Sequence, residues 1–291
     1  CVLMIECWYY TPLGEGSVRC DLCPHLCRLQ NGQRGICGSR RNDNGRLVSE
    51  VYGMPYALAD DPIEKKPLYD FHPGTRCLSL CCAGCNLRCL HCQNHELSQA
   101  MPGAVPSRRM TPHEVVSLAL RLQLPGIAYT YTEPLTYIEY VTDIAALAHA
   151  NGLWNILVSA GYVNPAPLKA LTPLIDAANI DLKYFSDALY RKVSGARLQP
   201  VLDTLIILHE AGVHLEITNL IIPQVNDDMQ MIGQMCQWLV AQGMDNCPLH
   251  FSRFFPHYKM SHLPPTPLKT LHAAEAVARR CGMRRIYLGN I

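Results

Sequence analysis

The sequence predicts an α/β fold: a partial parallel barrel of six β/α units behind a small cysteine-rich N-terminal module. Three observations predict it. From about residue 76, short apolar runs alternate with longer amphipathic ones six times over, the pattern of a parallel sheet or barrel. Polar residues gather at the expected C-terminal strand ends (Glu133, Ser159, Asp181 with Lys183, Thr218 with Asn219, and Arg253), where β/α barrels assemble their active sites. Ten of the fifteen cysteines fall between Cys20 and Cys92, and the next 143 residues contain none. Disulfide scaffolds spread cysteines to cross-link the whole chain, whereas metal sites concentrate them.

Residues 1–72 are expected as the module and its connector. They hold short polar stretches and Asn/Asp-Gly turns such as 42–45, with a hairpin reaching 47–52 and an extended connection over 60–73. Residues 73–291 are expected as the barrel. Its strands are predicted at 77–80, 127–131, 154–159, 179–184, 214–222 and 249–254, with one more at 284–288. The helices are predicted at 111–122, 135–150, 165–177, 198–211, 227–242 and 267–281. Thr111-Pro112-x-Glu114 supplies an N-cap, a proline at the first helical position and an acidic first turn. Gly152 and Gly212 follow helical runs, where a left-handed cap suits glycine.

The 291 residues are enough for one large domain, or one plus a small module, with a core that needs no staples. A net charge of +1 excludes a strongly basic nucleic-acid binder and an acidic, solvating chain. No apolar run approaches the ~18 residues of a membrane span, and residues 1–10 lack the basic start of a signal peptide. The expected setting is a reducing cytoplasm, with no membrane partner.

The strongest signal is residues 81–94, CCAGCNLRCLHCQN. Its core is C-x3-C-x2-C: Cys85, Cys89 and Cys92. Three thiolates on one loop can hold three corners of a cubane cluster and leave the fourth iron open. Asn86, Gln93 and Asn94 can supply hydrogen bonds to sulfur. A second set, Cys20, Cys23, Cys27 and Cys37, offers four thiolates within eighteen residues. That set suits zinc or a second iron–sulfur cluster, with His25 able to replace one thiolate, and spacing does not choose between them. C-x-x-C also permits thiol–disulfide exchange, though two further ligand-like cysteines argue against it. Cys81 and Cys82 are not expected as ligands. Cys77, Cys236, Cys247 and Cys281 read as small apolar residues. Residues 61–66, with two acids and two lysines beside a proline, read as a solvated turn.

The segments CDLCPHLCRLQNGQRGIC (20–37), DPIEKKPL (61–68), GCNLRCLHCQN (84–94), YTYTEP (129–134), DLK (181–183) and HFSRFFPHYK (250–259) resemble, in that order, radical S-adenosylmethionine (SAM) enzymes. More narrowly, they resemble the pyruvate formate-lyase activating enzyme-like branch and its AmmeMemoRadiSam group, over residues 18–291. The resemblance implies a partial (β/α)6 barrel of the radical SAM type. It implies a [4Fe–4S] cluster on Cys85, Cys89 and Cys92, with SAM on the remaining iron, reductive cleavage to a 5′-deoxyadenosyl radical, and hydrogen abstraction from a substrate. It places Thr132 and Glu133 at the SAM amino group and Ser159 at its ribose, with Asn86, Asp181, Lys183, Asn219 and His257 as further cofactor contacts. Glycyl-radical activases often carry Asp-Thr-Asn-Gly where this sequence has Val158-Ser159-Ala160-Gly161. Members of the group often continue past Gly289-Asn290 into a cysteine-containing tail, whereas this sequence stops at Ile291. Implied partners are a one-electron donor such as a ferredoxin or flavodoxin, and Memo-like and AMMECR-like proteins. A zinc-stabilised binding module, with RNA as an example of its ligand, is the reading from a different class.

Overall fold

The computed structural model describes residues 4–104 and 108–291; Cys1, to which no role attaches, lies outside the described residues. The chain opens with six short strands: β1 (Ile5–Glu6), β2 (Tyr10–Gly14), β3 (Ser17–Cys20), β4 (Arg28–Leu29), β5 (Arg40–Asp43) and β6 (Arg46–Ser49). They form two small antiparallel sheets, ordered β1-β6-β5 and β2-β3-β4. The expected hairpin is β5–β6. Its turn residues Asn44 and Gly45 both have positive φ, 52° and 86°, as a two-residue turn matched to strand twist requires.

An eight-stranded sheet follows, in the order β14-β13-β12-β11-β10-β9-β8-β7. Strand β7 (Ala57–Pro62) runs antiparallel to β8 (Arg76–Cys81). From β8 onward all neighbours are parallel: β9 (Gly126–Tyr129), β10 (Trp154–Ser159), β11 (Ala177–Asp181), β12 (His214–Ile221), β13 (Leu249–Arg253) and β14 (Ile286–Gly289). Among the described residues β14 does not pair with β7, so the barrel is partial. The helices are α1 (His95–Ser98), α2 (Pro112–Arg121), α3 (Ile138–Ala150), α4 (Pro165–Leu171), α5 (Asp187–Leu189), α6 (Leu198–Glu210), α7 (Met229–Ala241) and α8 (Leu268–Cys281). The α2 start is a full capping box, Thr111 and Glu114 each satisfying the other's backbone N–H.

Several expectations need correction. Residues 57–62 lie on the module side of the expected boundary, yet they hydrogen-bond to β8 along six residue pairs and form the sheet edge. Residues 61–66 are not a solvated turn. Lys66 is fully buried and Asp61 nearly so, joined at 2.7 Å, and the Tyr131 hydroxyl also donates to Asp61. The strand expected at 179–184 stops at Asp181. Leu182 and Tyr184 keep the alternating pattern but are buried away from the strand ladder. Helix α4 also ends early, because Pro173 admits only a 3-10 turn over 172–174.

The floor of the barrel is tied by a buried acid. Glu216, near the start of β12, accepts from the backbone N–H groups of Tyr69 and Asp70 at 3.0 and 2.9 Å. It also pairs with His214 at 3.0 Å and His250 at 2.6 Å. Burial alone would raise its pKa, but these four partners outweigh burial and bring it down to about 2. A carboxylate depressed in the folded state stabilises fully above its unfolded pKa, and that stability is lost as pH falls through the folded value. Acid titration is therefore expected to remove part of the stability between about pH 4.5 and about pH 2. A urea-melt series of Glu216→Gln should lack that component; an unchanged pH profile would contradict the assignment.

Candidate functional site

The loop after β8 begins with Cys82, whose carbonyl accepts from the Thr132 hydroxyl at 2.8 Å. Cys81 and Cys82 are fully buried, one in the strand and one just past it. Gly84 has φ +100°, and a Cβ there would lie 2.6 Å from the Cys37 carbonyl oxygen, so only glycine lets the module dock. The Cys85 N–H donates to that same carbonyl at 3.2 Å.

The loop then rests on one π-helical turn, Tyr190–Ser194, closed by left-handed Gly195. Arg88 N–H donates to the Ser194 carbonyl at 2.8 Å and Leu90 N–H to the Val193 carbonyl at 2.9 Å. Such turns occur often at functional sites. On this seat each of the three thiols has a polar partner. Cys85 Sγ accepts from Leu87 N–H at 3.3 Å, Cys89 Sγ lies 3.1 Å from Ser194 Oγ, and Cys92 Sγ lies 3.3 Å from Ser98 Oγ. Burial lifts the Cys85 thiol well above its ordinary range, and the charges of Glu133, Cys89 and Cys92 add to the lift. Three cysteines on one loop, each with a polar partner at sulfur, are a donor set suited to an iron–sulfur cluster with one iron not held by the protein, while among the described residues no three such side chains close on a single metal ion.

Glu133 follows β9, at the N-cap of the 3-10 turn Pro134–Tyr137, and is almost wholly buried. It accepts from Ser159 Oγ at 2.7 Å, Ala160 N–H at 2.9 Å and Leu135 N–H at 3.1 Å. Burial raises its pKa, and the three hydrogen bonds and the charge of Lys183 offset only part of the rise. Lys183 pairs with Asp181 at 2.7 Å. Burial opposes the Lys183 charge, but Asp181 and Cys89 outweigh it and hold the ammonium well above its ordinary pKa. Burial, with Lys183 nearby, lowers His91 to about 3, so its ring is neutral at pH 7.

Glu133, Ser159, Asp181 and Lys183 thus stand around the three thiols. The other expected contacts are committed elsewhere. The Asn86 amide donates to the Tyr162 carbonyl at 2.7 Å, leaving its buried Oδ1 without a partner. Asn219 donates to the carbonyls of Leu182 at 2.7 Å and Lys183 at 3.2 Å, and its Oδ1 is likewise unpartnered. Asn94 bonds the Tyr131 carbonyl rather than a sulfur. The His257 ring lies 5.4 Å from that of His95, outside the Glu133 network. Ser98 and Ser194 carry no motif, and the joining of Asp61, Lys66 and Tyr131 leaves no local signal in the sequence.

In the second cysteine set, Cys20 and Cys23 are buried while Cys27 and Cys37 are partly exposed. The His25 ring is taken by the Asn86 carbonyl at 2.8 Å, so the set is four thiols. All fourteen described cysteines are free, Cys20 and Cys23 included.

Residues 80–236, more than half of the chain, match the radical SAM superfamily. An uncharacterised protein of Methanocaldococcus jannaschii is 44% identical over 288 residues, covering 99% of this chain and 86% of that protein. A pyruvate formate-lyase-activating enzyme of Clostridium pasteurianum is 25% identical over 158 residues, 52% of this chain and 64% of the enzyme. The fold resembles that of Streptococcus suis SuiB bound to S-adenosylmethionine, with a TM-score of 0.56 and 10% identity over 71% of this chain and 48% of that one. No helix among the described residues is long and apolar enough to cross a membrane. A match over residues 80–236, which begins in the first parallel strand and takes in the three-thiol loop after it, places the chain in the radical SAM superfamily, whose members use a [4Fe–4S] cluster and SAM.

Proposed function

We propose that Cys85, Cys89 and Cys92 hold the [4Fe–4S] cluster and that Glu133 and Ser159 bind the SAM beside it. The observation that carries this reading is the buried Glu133 carboxylate, whose charge acts on Cys85 while Ser159 and Ala160 hold it in place. When bound, the cluster and SAM supply one-electron reductive cleavage of SAM and a 5′-deoxyadenosyl radical that abstracts hydrogen. The protein supplies position and charge. A carboxylate offers about four lone-pair sites. Three of those on Glu133 are taken by protein donors, leaving one for the SAM ammonium, as a charge-assisted bond. Lys183 puts a positive charge beside Cys89, which favours an anionic thiolate cluster. Electrons come from a one-electron carrier such as a ferredoxin or flavodoxin, in the cytoplasm.

The substrate class divides two readings. Relatives that activate pyruvate formate-lyase and (2S)-3-sulfopropanediol dehydratase favour a glycyl-radical activase acting on a partner's backbone. Val158 and Ala160, where activases carry Asp and Asn, favour a different substrate, and we prefer that reading. Memo-like and AMMECR-like proteins are candidate partners.

The test is anaerobic reconstitution with iron and sulfide, then SAM and a strong reductant, quantifying 5′-deoxyadenosine. Product at catalytic or single-turnover level supports the reading; zinc in place of iron at the three cysteines would replace it with a binding module. Glu133→Gln is expected to weaken SAM binding by about 10–100-fold, since a hydrogen bond to a charged group contributes ~1.5–3 kcal/mol. Equilibrium dialysis of SAM against iron-loaded protein measures this. Unchanged affinity at full iron content would remove Glu133 from the SAM site.

A further inference from the structure

We propose that Cys20, Cys23, Cys27 and Cys37 hold a second iron–sulfur cluster, ligated entirely by protein thiolates and packed directly against the 85–92 loop. The backbone gathers the four sulfurs. Cys20 ends β3, and its N–H donates to the Cys27 carbonyl at 2.9 Å, which folds the intervening loop back on itself. Gly35 sits between the last two: a Cβ there would lie 3.7 Å from both Cys27 Sγ and Cys37 Sγ.

Ser39 Oγ donates to Cys37 Sγ at 3.3 Å, as Leu87 N–H does to Cys85 Sγ at 3.3 Å in the other loop. Donors to sulfur are how proteins hold and tune thiolate clusters.

An independent observation is Arg40, about 1% exposed on β5. Its Nη2 is paired with Glu139 and its Nε with the Thr136 carbonyl, but its Nη1 has no partner. After Glu139, the titratable groups that act on it most are Cys7, Cys20 and Cys37. A guanidinium with a spare buried donor beside two of the four sulfurs is a counter-charge for an anionic group there.

The choice of cluster over zinc rests on scale. Zinc draws four sulfurs to ~2.3 Å from one point, whereas a cubane spreads its ligands over separate corners. In both cysteine sets the sulfurs act electrostatically on one another. Yet among the described residues neither set closes around a single-ion point. The parallel with the 85–92 loop rests on the role proposed for that loop; the four-thiol geometry and Arg40 do not.

The test separates the two sites. Full-length protein is reconstituted anaerobically with iron and sulfide, and iron, sulfide and zinc are counted. Wild type is expected to hold about 8 iron and 8 sulfide per chain, two four-iron clusters. The Cys85/Cys89/Cys92→Ala variant should keep half the iron and, after one-electron reduction by a strong reductant such as dithionite, show an electron paramagnetic resonance signal that SAM does not change. Cys27→Ser, which leaves the buried Cys20 and Cys23 in place, should lose the other half and keep a SAM-responsive signal. Zinc, or no metal, in the triple variant overturns the second cluster. Failure of the proposed catalytic site would appear separately, as loss of the SAM-responsive signal from wild type.

Discussion

Replacing Cys85, Cys89 and Cys92 together with alanine is expected to abolish 5′-deoxyadenosine formation. Loss of an outer partner of a metal ligand costs about 10–100-fold; loss of all three ligands should exceed that and leave product below detection. The three sulfurs sit on a loop held by main-chain bonds to 193 and 194 and to the Cys37 carbonyl, none of which uses a cysteine side chain. The variant should therefore fold, and far-UV circular dichroism and thermal unfolding should match wild type. Cys82→Ala is the matched control. That thiol is fully buried just past the strand, and its substitution should leave the SAM-cleaving activity within a few-fold. Residual turnover in the triple variant would mean that other residues bind the cluster.

Arg40→Ala is expected to destabilise the protein by ~3–5 kcal/mol, the cost of stripping one partner from a buried ion pair. Glu139 lies in α3 of the barrel and is fully buried; its other neighbours include the Trp8 N–H at 3.0 Å. Arg40 reaches it from β5 at 2.6 Å, so the pair pins the module to the barrel. Arg40→Lys should recover little, because the guanidinium also uses Nε on the Thr136 carbonyl at 3.0 Å. The double variant, Arg40→Met with Glu139→Leu, should recover most of the loss in metal-free protein, where no charge is left stranded. Anaerobic urea melts of wild type and these three variants, with Glu139→Leu alone added, complete the comparison. A single-variant loss under about 1 kcal/mol would show the pair to be solvated.

The barrel was legible because its signals are periodic and local. Helix α2 is bounded by a capping box written within four residues, and the six expected strand–helix units all appear. The three thiols were legible because one loop carries them. What stayed hidden depends on distant pairing. A lysine pair beside a proline looks solvated until β7 joins the sheet and turns Lys66 and Asp61 inward. Ser194 reaches Cys89 across 105 positions, from a π-helical turn that has no sequence signature. Asn219 stands at a strand end as expected, but only the fold reveals that its amide donors are spent on the 182–183 backbone.

The Tyr190–Ser194 turn also bears on how such chains can diverge. It grips the cysteine loop through carbonyl oxygens, which every residue type provides. That grip does not depend on which side chains lie between the cysteines, but it does depend on the length of the turn. Inserting or deleting one residue at 190–194 would shift both carbonyls out of reach. The damage should rival the loss of a cysteine, at a place about a hundred residues away that no motif search inspects.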